Sequence, residues 1–310
     1  MKKNNIQLTI LLLIVASQFG CTSFENNPEL KFSESSVEKI DEVINELYEN
    51  EQFQGVVLVS VRGKVIYKKA VGYANIEDSI PNKVDTKFRI ASFTKPITAM
   101  LILQLIEEGQ VKLDGKLLEY LPEFYVEGAE NITIHQLLTH TAGITGHPRI
   151  SNLLDIEKQH YTREEFLRLI TNYDLVYEPS EGTEYSNFGY GLLGLVIEKV
   201  TGKSYDEVMN EKICYPAGMT NTLSDITEIP IENRAVGYTH YYFAGIGEAP
   251  FLDMSFCLGA GQLLSTAEDL YLFDKALYTD KLLTKKSKEL FFSNFGWLST
   301  RYSYGKNSKK

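Results

Sequence analysis

The run from Ile97 to Ile106, Ile-Thr-Ala-Met-Leu-Ile-Leu-Gln-Leu-Ile, is apolar almost all the way round a helix. A helix of that kind has no face to give to water, so it belongs at the centre of a core. Pro96 stands just before it and cannot donate a backbone hydrogen bond, which confines it to a first helical turn. The helix therefore starts close to Ser92. There the backbone N–H groups still lack internal partners, and the helix dipole favours negative charge. The residues at this start are Ser92-Phe93-Thr94-Lys95. Positions three apart share one helix face, so the Lys95 amine is placed beside the Ser92 hydroxyl. A serine hydroxyl becomes a nucleophile when a neighbouring base takes its proton, and a lysine kept neutral by its surroundings is such a base. A helix-capping serine followed by a solvated lysine would give the same four letters, so the rest of the chain has to decide.

The chain has 310 residues, 44% of them hydrophobic, enough for one large domain or two merged lobes. Its net charge of -10 speaks against nucleic acid, whose phosphates require a basic face. Lys2 and Lys3 followed by apolar residues from Ile6 to Ala16 read as a signal peptide, 1–20, too short for a comfortable membrane span. Gly20-Cys21 behind it resembles a bacterial lipobox, although Gln18 and Phe19 depart from the usual pattern. Lipidation at Cys21 is expected, with simple cleavage after Ser17 as the competing reading. On either reading the protein is exported to the cell envelope, as a membrane-anchored lipoprotein or as a periplasmic or secreted form. Residues 21–35 read as a polar tether and 36–310 as the folded domain. Cys214 and Cys257, each beside aromatic or apolar residues, are expected to be buried and unpaired.

Ser36 is expected to cap a helix running to about Glu51, with Val37, Ile40, Val43, Ile44 and Leu47 at helical spacing. Gly55 to Val61 and Lys64 to Val71 are β-branched runs around Arg62-Gly63, a hairpin pattern. Residues 110–180 read as helices and loops, with a capping-box spacing from Thr162 to Glu165. Further helices are expected over Phe188 to Val200, ended by Gly202, and from Thr266 to Leu277. A hairpin, a helical middle and a return to strands predict an α/β (α+β) fold. The histidines, His135, His140, His147, His160 and His240, show no metal-ligand spacing. His140 is expected to make structural hydrogen bonds, and Ser265 to lie in a helix cap rather than act as a nucleophile.

Tyr185-Ser186-Asn187 lies between a turn and the Phe188 helix. A tyrosine hydroxyl beside an amine can relay a proton to a leaving group, and an asparagine amide can hold a substrate carbonyl. With Ser-x-x-Lys before it, this triplet resembles the second motif of the serine β-lactamases and penicillin-binding-protein-like hydrolases, in the branch with a tyrosine there. The resemblance extends to Phe88-Arg89-Ile90-Ala91 ahead of the serine, Leu137 to Ile144, Pro216 to Thr222, and Gly259-Ala260-Gly261 through Leu270. It covers nearly all of the chain from about residue 36.

That resemblance implies a β-lactamase/DD-peptidase-like fold, an antiparallel sheet flanked by helices plus a helical lobe. It implies an acyl-enzyme at Ser92, with Lys95 and Tyr185 in the proton transfers, Asn187 on the substrate carbonyl, and no metal or organic cofactor. The substrate would be a small molecule or peptide: a β-lactam, a D-Ala-containing peptidoglycan peptide, another D-amino peptide, or an ester. Members of the family carry a Lys-Thr-Gly or His-x-Gly strand near the C-terminus. Here Tyr304-Gly305 resembles the start of a neighbouring strand and no such triplet follows, so a chain incomplete at its C-terminus is expected. The alternative from a different class is a catalytically inactive remnant, or a protein that only binds cell-wall peptide.

Overall fold

The computed structural model describes residues 34–146, 157–225, 230–241 and 245–293. The leader, Cys21, the tether up to residue 33, His147 and Tyr304-Gly305 lie outside the described residues. In chain order the elements are α1 (Glu34–Glu49), β1 (Gly55–Val61), β2 (Lys64–Val71), β3 (Tyr73–Asn75), β4 (Ile80–Pro81), β5 (Phe88–Arg89) and α2 (Thr94–Glu107). Then come α3 (Leu117–Tyr120), α4 (Ile134–Leu138), α5 (Arg163–Thr171), α6 (Asn187–Thr201), α7 (Tyr205–Met209) and α8 (Tyr215–Ala217). The order closes with β6 (Leu223–Ser224), β7 (Tyr238–Tyr241), β8 (Gly245–Glu248), β9 (Leu263–Ser265), α9 (Ala267–Leu277) and α10 (Lys285–Ser293). Every pairing between these strands is antiparallel, and the strands fall into four small sheets rather than one.

The chain divides into two compact units, each described by itself. The first holds the described residues up to 83 together with 235–241 and 245–249. Its β1–β2 hairpin turns at Arg62-Gly63, both at positive φ (53° and 72°), as a two-residue turn matched to strand twist requires. The helix α1 lies against β2, where the Asp41 carboxylate accepts from the Tyr67 hydroxyl and the Lys69 amine, at 2.8 and 2.7 Å. Ser36 is not the cap predicted for this helix. It lies inside α1, which already includes Glu34 and Ser35.

The second unit contains 84–146, 157–225, 230–234 and 250–293 among the described residues. Its centre is α2, where every residue from Thr94 to Leu105 is buried, as an all-round apolar helix demands. Against it packs α6, buried continuously from Phe188 to Ile197 and ended by Gly202 at φ 67°. Thr162, Ser204 and Thr133 each cap a helix with a reciprocal glutamate or glutamine three residues on, which fixes where α5, α7 and α4 begin. A three-stranded sheet in the order β5-β9-β6 pairs Phe88 with Ser265 and Arg89 with Leu264. That pairing carries the chain directly towards Ser92.

Candidate active site

Ser92 stands on a single 3-10 turn, Ala91–Phe93, that runs straight into α2. The approach is fixed on one side by β5 and by the Ile90 N–H, which donates to the Leu263 carbonyl at 2.9 Å. Ala91 sits at φ 46°, a left-handed conformation that a non-glycine residue keeps only where its neighbours enforce it. Arg89 is pinned as well, its guanidinium donating to the buried Asp225 carboxylate and to the Leu252 carbonyl. The lead-in to the serine is therefore held at each residue, and the Ser92 side chain is left exposed.

Lys95 is 1% exposed, one turn into the buried helix. Its Nζ lies 3.1 Å from Ser92 Oγ and donates to Asn187 Oδ1 (2.7 Å) and to the Ala260 carbonyl (2.8 Å). Burial pushes its pKa down from the ordinary lysine value to about 7, with the nearby Cys257 thiol acting the other way. The two longer-range partners decide how the neutral amine is oriented. A carbonyl and an amide oxygen can only accept, so they take the two N–H groups. The lone pair is then left facing Ser92 Oγ. That is the arrangement a general base for the serine needs.

The Tyr185 hydroxyl donates to Ser92 Oγ at 2.8 Å. Burial raises its pKa, the Ser92 contact partly opposes this, and the net direction is upward, so the phenol keeps its proton at neutral pH. Lys95 Nζ also lies 4.7 Å from the centre of the Tyr185 ring. The structure thus brings Ser92, Lys95, Tyr185 and Asn187 together in one hydrogen-bonded group. Ser186, between the last two, caps α6: its hydroxyl accepts from the Gly189 N–H and donates to the Thr145 carbonyl.

For three more residues around the site the sequence gives no catalytic part, only a family signature at Gly259-Ala260 and structural hydrogen bonds at His140. Ala260 contributes only a carbonyl, and a carbonyl leaves no trace in residue identity. Gly259, beside it, sits at φ 65°, and a Cβ there would lie 2.5 Å from the Tyr190 carbonyl, so the segment can run this close to α6 only with glycine. His140 is buried, accepts the Ser186 N–H at Nδ1 (3.0 Å), and packs against the Tyr185 and Tyr190 rings at centroid distances of 4.6 and 5.1 Å, each pair tilted by 39°. Burial first, and the Lys95 charge second, drive its pKa down to about 3, so the ring is neutral.

The remaining candidates separate cleanly. Ser265 is buried and its hydroxyl is shared with Thr222, which leaves it unavailable to a substrate. Cys214 and Cys257 are unpaired, and burial pushes both thiols up to about 12. Cys257 is half-buried rather than fully buried as predicted, because it borders the site. Among the described residues, no three His, Cys, Asp or Glu side chains form a metal-binding group. No helix among them is long and apolar enough to cross a membrane.

The sequence model of the family described as Beta-lactamase matches residues 40–306. The chain belongs to the beta-lactamase family. Within that family it is 32% identical over 288 residues to penicillin-binding protein 4* of Bacillus subtilis (strain 168), covering 81% of this chain. It spans 61% of the length of that Bacillus protein. Among solved structures it resembles FmtA from Staphylococcus aureus, with a TM-score of 0.72 and 26% identity over 82% of this chain and 70% of that one. It also resembles a D-amino acid amidase from Ochrobactrum anthropi SV3, with a TM-score of 0.71 and 26% identity over 81% of this chain and 74% of that one. The fold is the β-lactamase/DD-peptidase type, with helix and antiparallel strand mixed.

Proposed function

We propose that this chain hydrolyses an amide or ester carbonyl through an acyl-enzyme on Ser92. The observation that carries the reading is the Lys95 amine, whose two acceptor-only partners aim its lone pair at Ser92 Oγ. As Ser92 Oγ forms its bond to the carbonyl carbon, its proton passes to Lys95 Nζ and the carbonyl π electrons move onto oxygen. The dipole of α2, whose N-terminal end adjoins Ser92, favours that negative charge. When the tetrahedral intermediate collapses, the leaving group takes a proton from the Lys95 ammonium by way of the Tyr185 hydroxyl. Water then attacks the ester, giving up its proton along the same path in reverse; the acyl–Oγ bond breaks, and Lys95 returns its proton to Ser92 Oγ. Asn187 holds Lys95 and lies where it can also meet the substrate carbonyl.

The substrate is a small molecule or a peptide. The names of the relatives, a penicillin-binding protein and a D-amino acid amidase, favour β-lactams and amides of D-amino acids as the first acyl donors to try. Residues 1–20 act as a signal peptide, 21–35 as a tether and 36–310 as the hydrolase domain, and Cys21 carries the lipid anchor that holds the enzyme at the cell envelope. Membrane fractionation of wild type against Cys21→Ser tests the anchor, which the variant should lose.

A fluorophosphonate or penicillin probe followed by peptide mass spectrometry tests the chemistry. Labelling is expected on the peptide containing Ser92 and should vanish in Ser92→Ala. A folded wild-type protein that takes up neither probe would instead point to a non-catalytic remnant or a peptide-binding protein.

A further inference from the structure

We propose that His140 is a positioning residue for Tyr185, fixing where the tyrosine hydroxyl sits on Ser92. The inference rests on the acyl-transfer reading above. His140 holds the chain on both sides of the tyrosine: its carbonyl accepts the Glu184 N–H at 3.0 Å and its Nδ1 accepts the Ser186 N–H at 3.0 Å. Between those two anchors the Tyr185 ring packs against the imidazole, 4.6 Å between centroids and tilted by 39°. The hydroxyl at the far end of that ring donates to Ser92 Oγ. One residue thus restrains the backbone before Tyr185, the backbone after it, and the plane of its ring.

The remaining ring nitrogen supports the assignment. Because Nδ1 accepts, the imidazole proton is on Nε2, which is buried without a hydrogen-bond partner. Leaving such a donor unpaired is unfavourable, so an imidazole is a poor residue for packing alone. What it supplies that an apolar side chain does not is an acceptor set beside an aromatic face. The groups facing it are Lys95 on α2, Tyr190 on α6, and Tyr185 and Tyr177 on the flanking loops, none of them an anion. Protonating the ring would turn Nδ1 into a donor against the Ser186 N–H and set a second positive charge near Lys95. Only the neutral form can do this work, which excludes His140 as the acid or base of the reaction.

The backbone at His140 lies at φ 58°, so the test variants are His140→Gly, which accepts that conformation and removes the Nδ1 anchor and the ring while keeping the carbonyl, and His140→Asn. Asparagine tolerates the same φ and keeps a side-chain acceptor while removing the ring face. The readout is the rate of Ser92 labelling by a fluorophosphonate, measured in the wild-type and the Tyr185→Phe backgrounds, with folding checked by circular dichroism. A displacement of an ångström at a catalytic group can cost about 100-fold. His140→Gly should therefore lose about that factor in the wild-type background, and His140→Asn less. In Tyr185→Phe, where there is no hydroxyl left to place, the same substitutions should change the rate little. Equal losses in both backgrounds, or no loss in either, overturn the inference. If His140→Gly does not fold, the His140→Asn cycle decides alone. A wild-type protein that never labels would refute the acyl-transfer reading itself, a different outcome from a labelled wild type with additive losses.

Discussion

At the scale of single residues, the proposed chemistry turns on Lys95, whose protonation state determines whether Ser92 has a base. Burial brings the amine to a pKa of about 7, so the active, neutral form dominates above that pH and is lost below it. The rate of Ser92 labelling should fall about tenfold per pH unit below 7 and level off above it. A labelling rate that stays flat from pH 5.5 to 9 would remove Lys95 from the role of base. Lys95→Arg replaces the amine with a group that stays charged. It should slow labelling by about 10²–10⁴-fold, the usual contribution of a positioned general base, and excess base in the medium should not restore the rate. The four side chains of the group were legible in the sequence because their chemistry is carried by residue type at a fixed order. Ala260 was not legible, since every residue has a carbonyl and only the fold selects one. For His140 the sequence supports no more than structural hydrogen bonds. Its partner proves to be a backbone amide 46 positions away, and no spacing rule reports that.

At the scale of elements, the site is built where the segment 259–265 is laid along the first turns of α2. Thr98 donates to the Gly259 carbonyl, Lys95 to the Ala260 carbonyl, and the Leu263 N–H to Thr94 Oγ1. Gly259→Ala would force a Cβ against the Tyr190 carbonyl at a positive φ. It should destabilise the fold by about 1–3 kcal/mol and lower Ser92 labelling with it; urea denaturation of the variant unchanged from wild type would refute this account of the glycine. The same segment continues into α9, where buried Asp269 accepts from the Thr220 and Asn221 amides and the Thr222 hydroxyl. This ties the Pro216–Thr222 and Ser265–Leu270 signatures together, an association the sequence displayed without its reason. Asp269→Ala takes the acceptor from the buried Thr222 hydroxyl and from the partly buried Thr220 and Asn221 amides, and should cost roughly 1–3 kcal/mol for each one not rescued by water, again read from urea midpoints. Helix starts were legible to within a residue or two because capping is local, as at Thr162 and Thr266. The division of the strands into four small sheets was not, because strand pairing depends on partners far along the chain.

At the scale of the whole molecule, the two buried basic side chains Lys95 and His140 shape how stability depends on pH. A group whose pKa is lower in the folded state than in the unfolded chain binds fewer protons when folded, so stability rises with pH between the two values. For Lys95 that interval lies between about 7 and the ordinary lysine value of 10.5. For His140 it lies between about 3 and 6.5. Below pH 6.5 the unfolded chain gains a proton on His140 that the folded protein refuses, and the folded state loses ground accordingly. Surface carboxylates add acid sensitivity of their own, but they are common to wild type and His140→Asn and cancel in the difference between them. The free energy of unfolding of wild type minus that of His140→Asn should therefore be level above pH 6.5. As pH falls towards 3 it should decline, with a slope approaching about 1.4 kcal/mol per pH unit. Urea titrations of both proteins at half-unit pH steps measure it. A difference that stays constant from pH 7 to pH 4 would mean that the imidazole takes up its proton in the folded state as readily as in the unfolded one, and the neutral ring holding Ser186 would have to be abandoned.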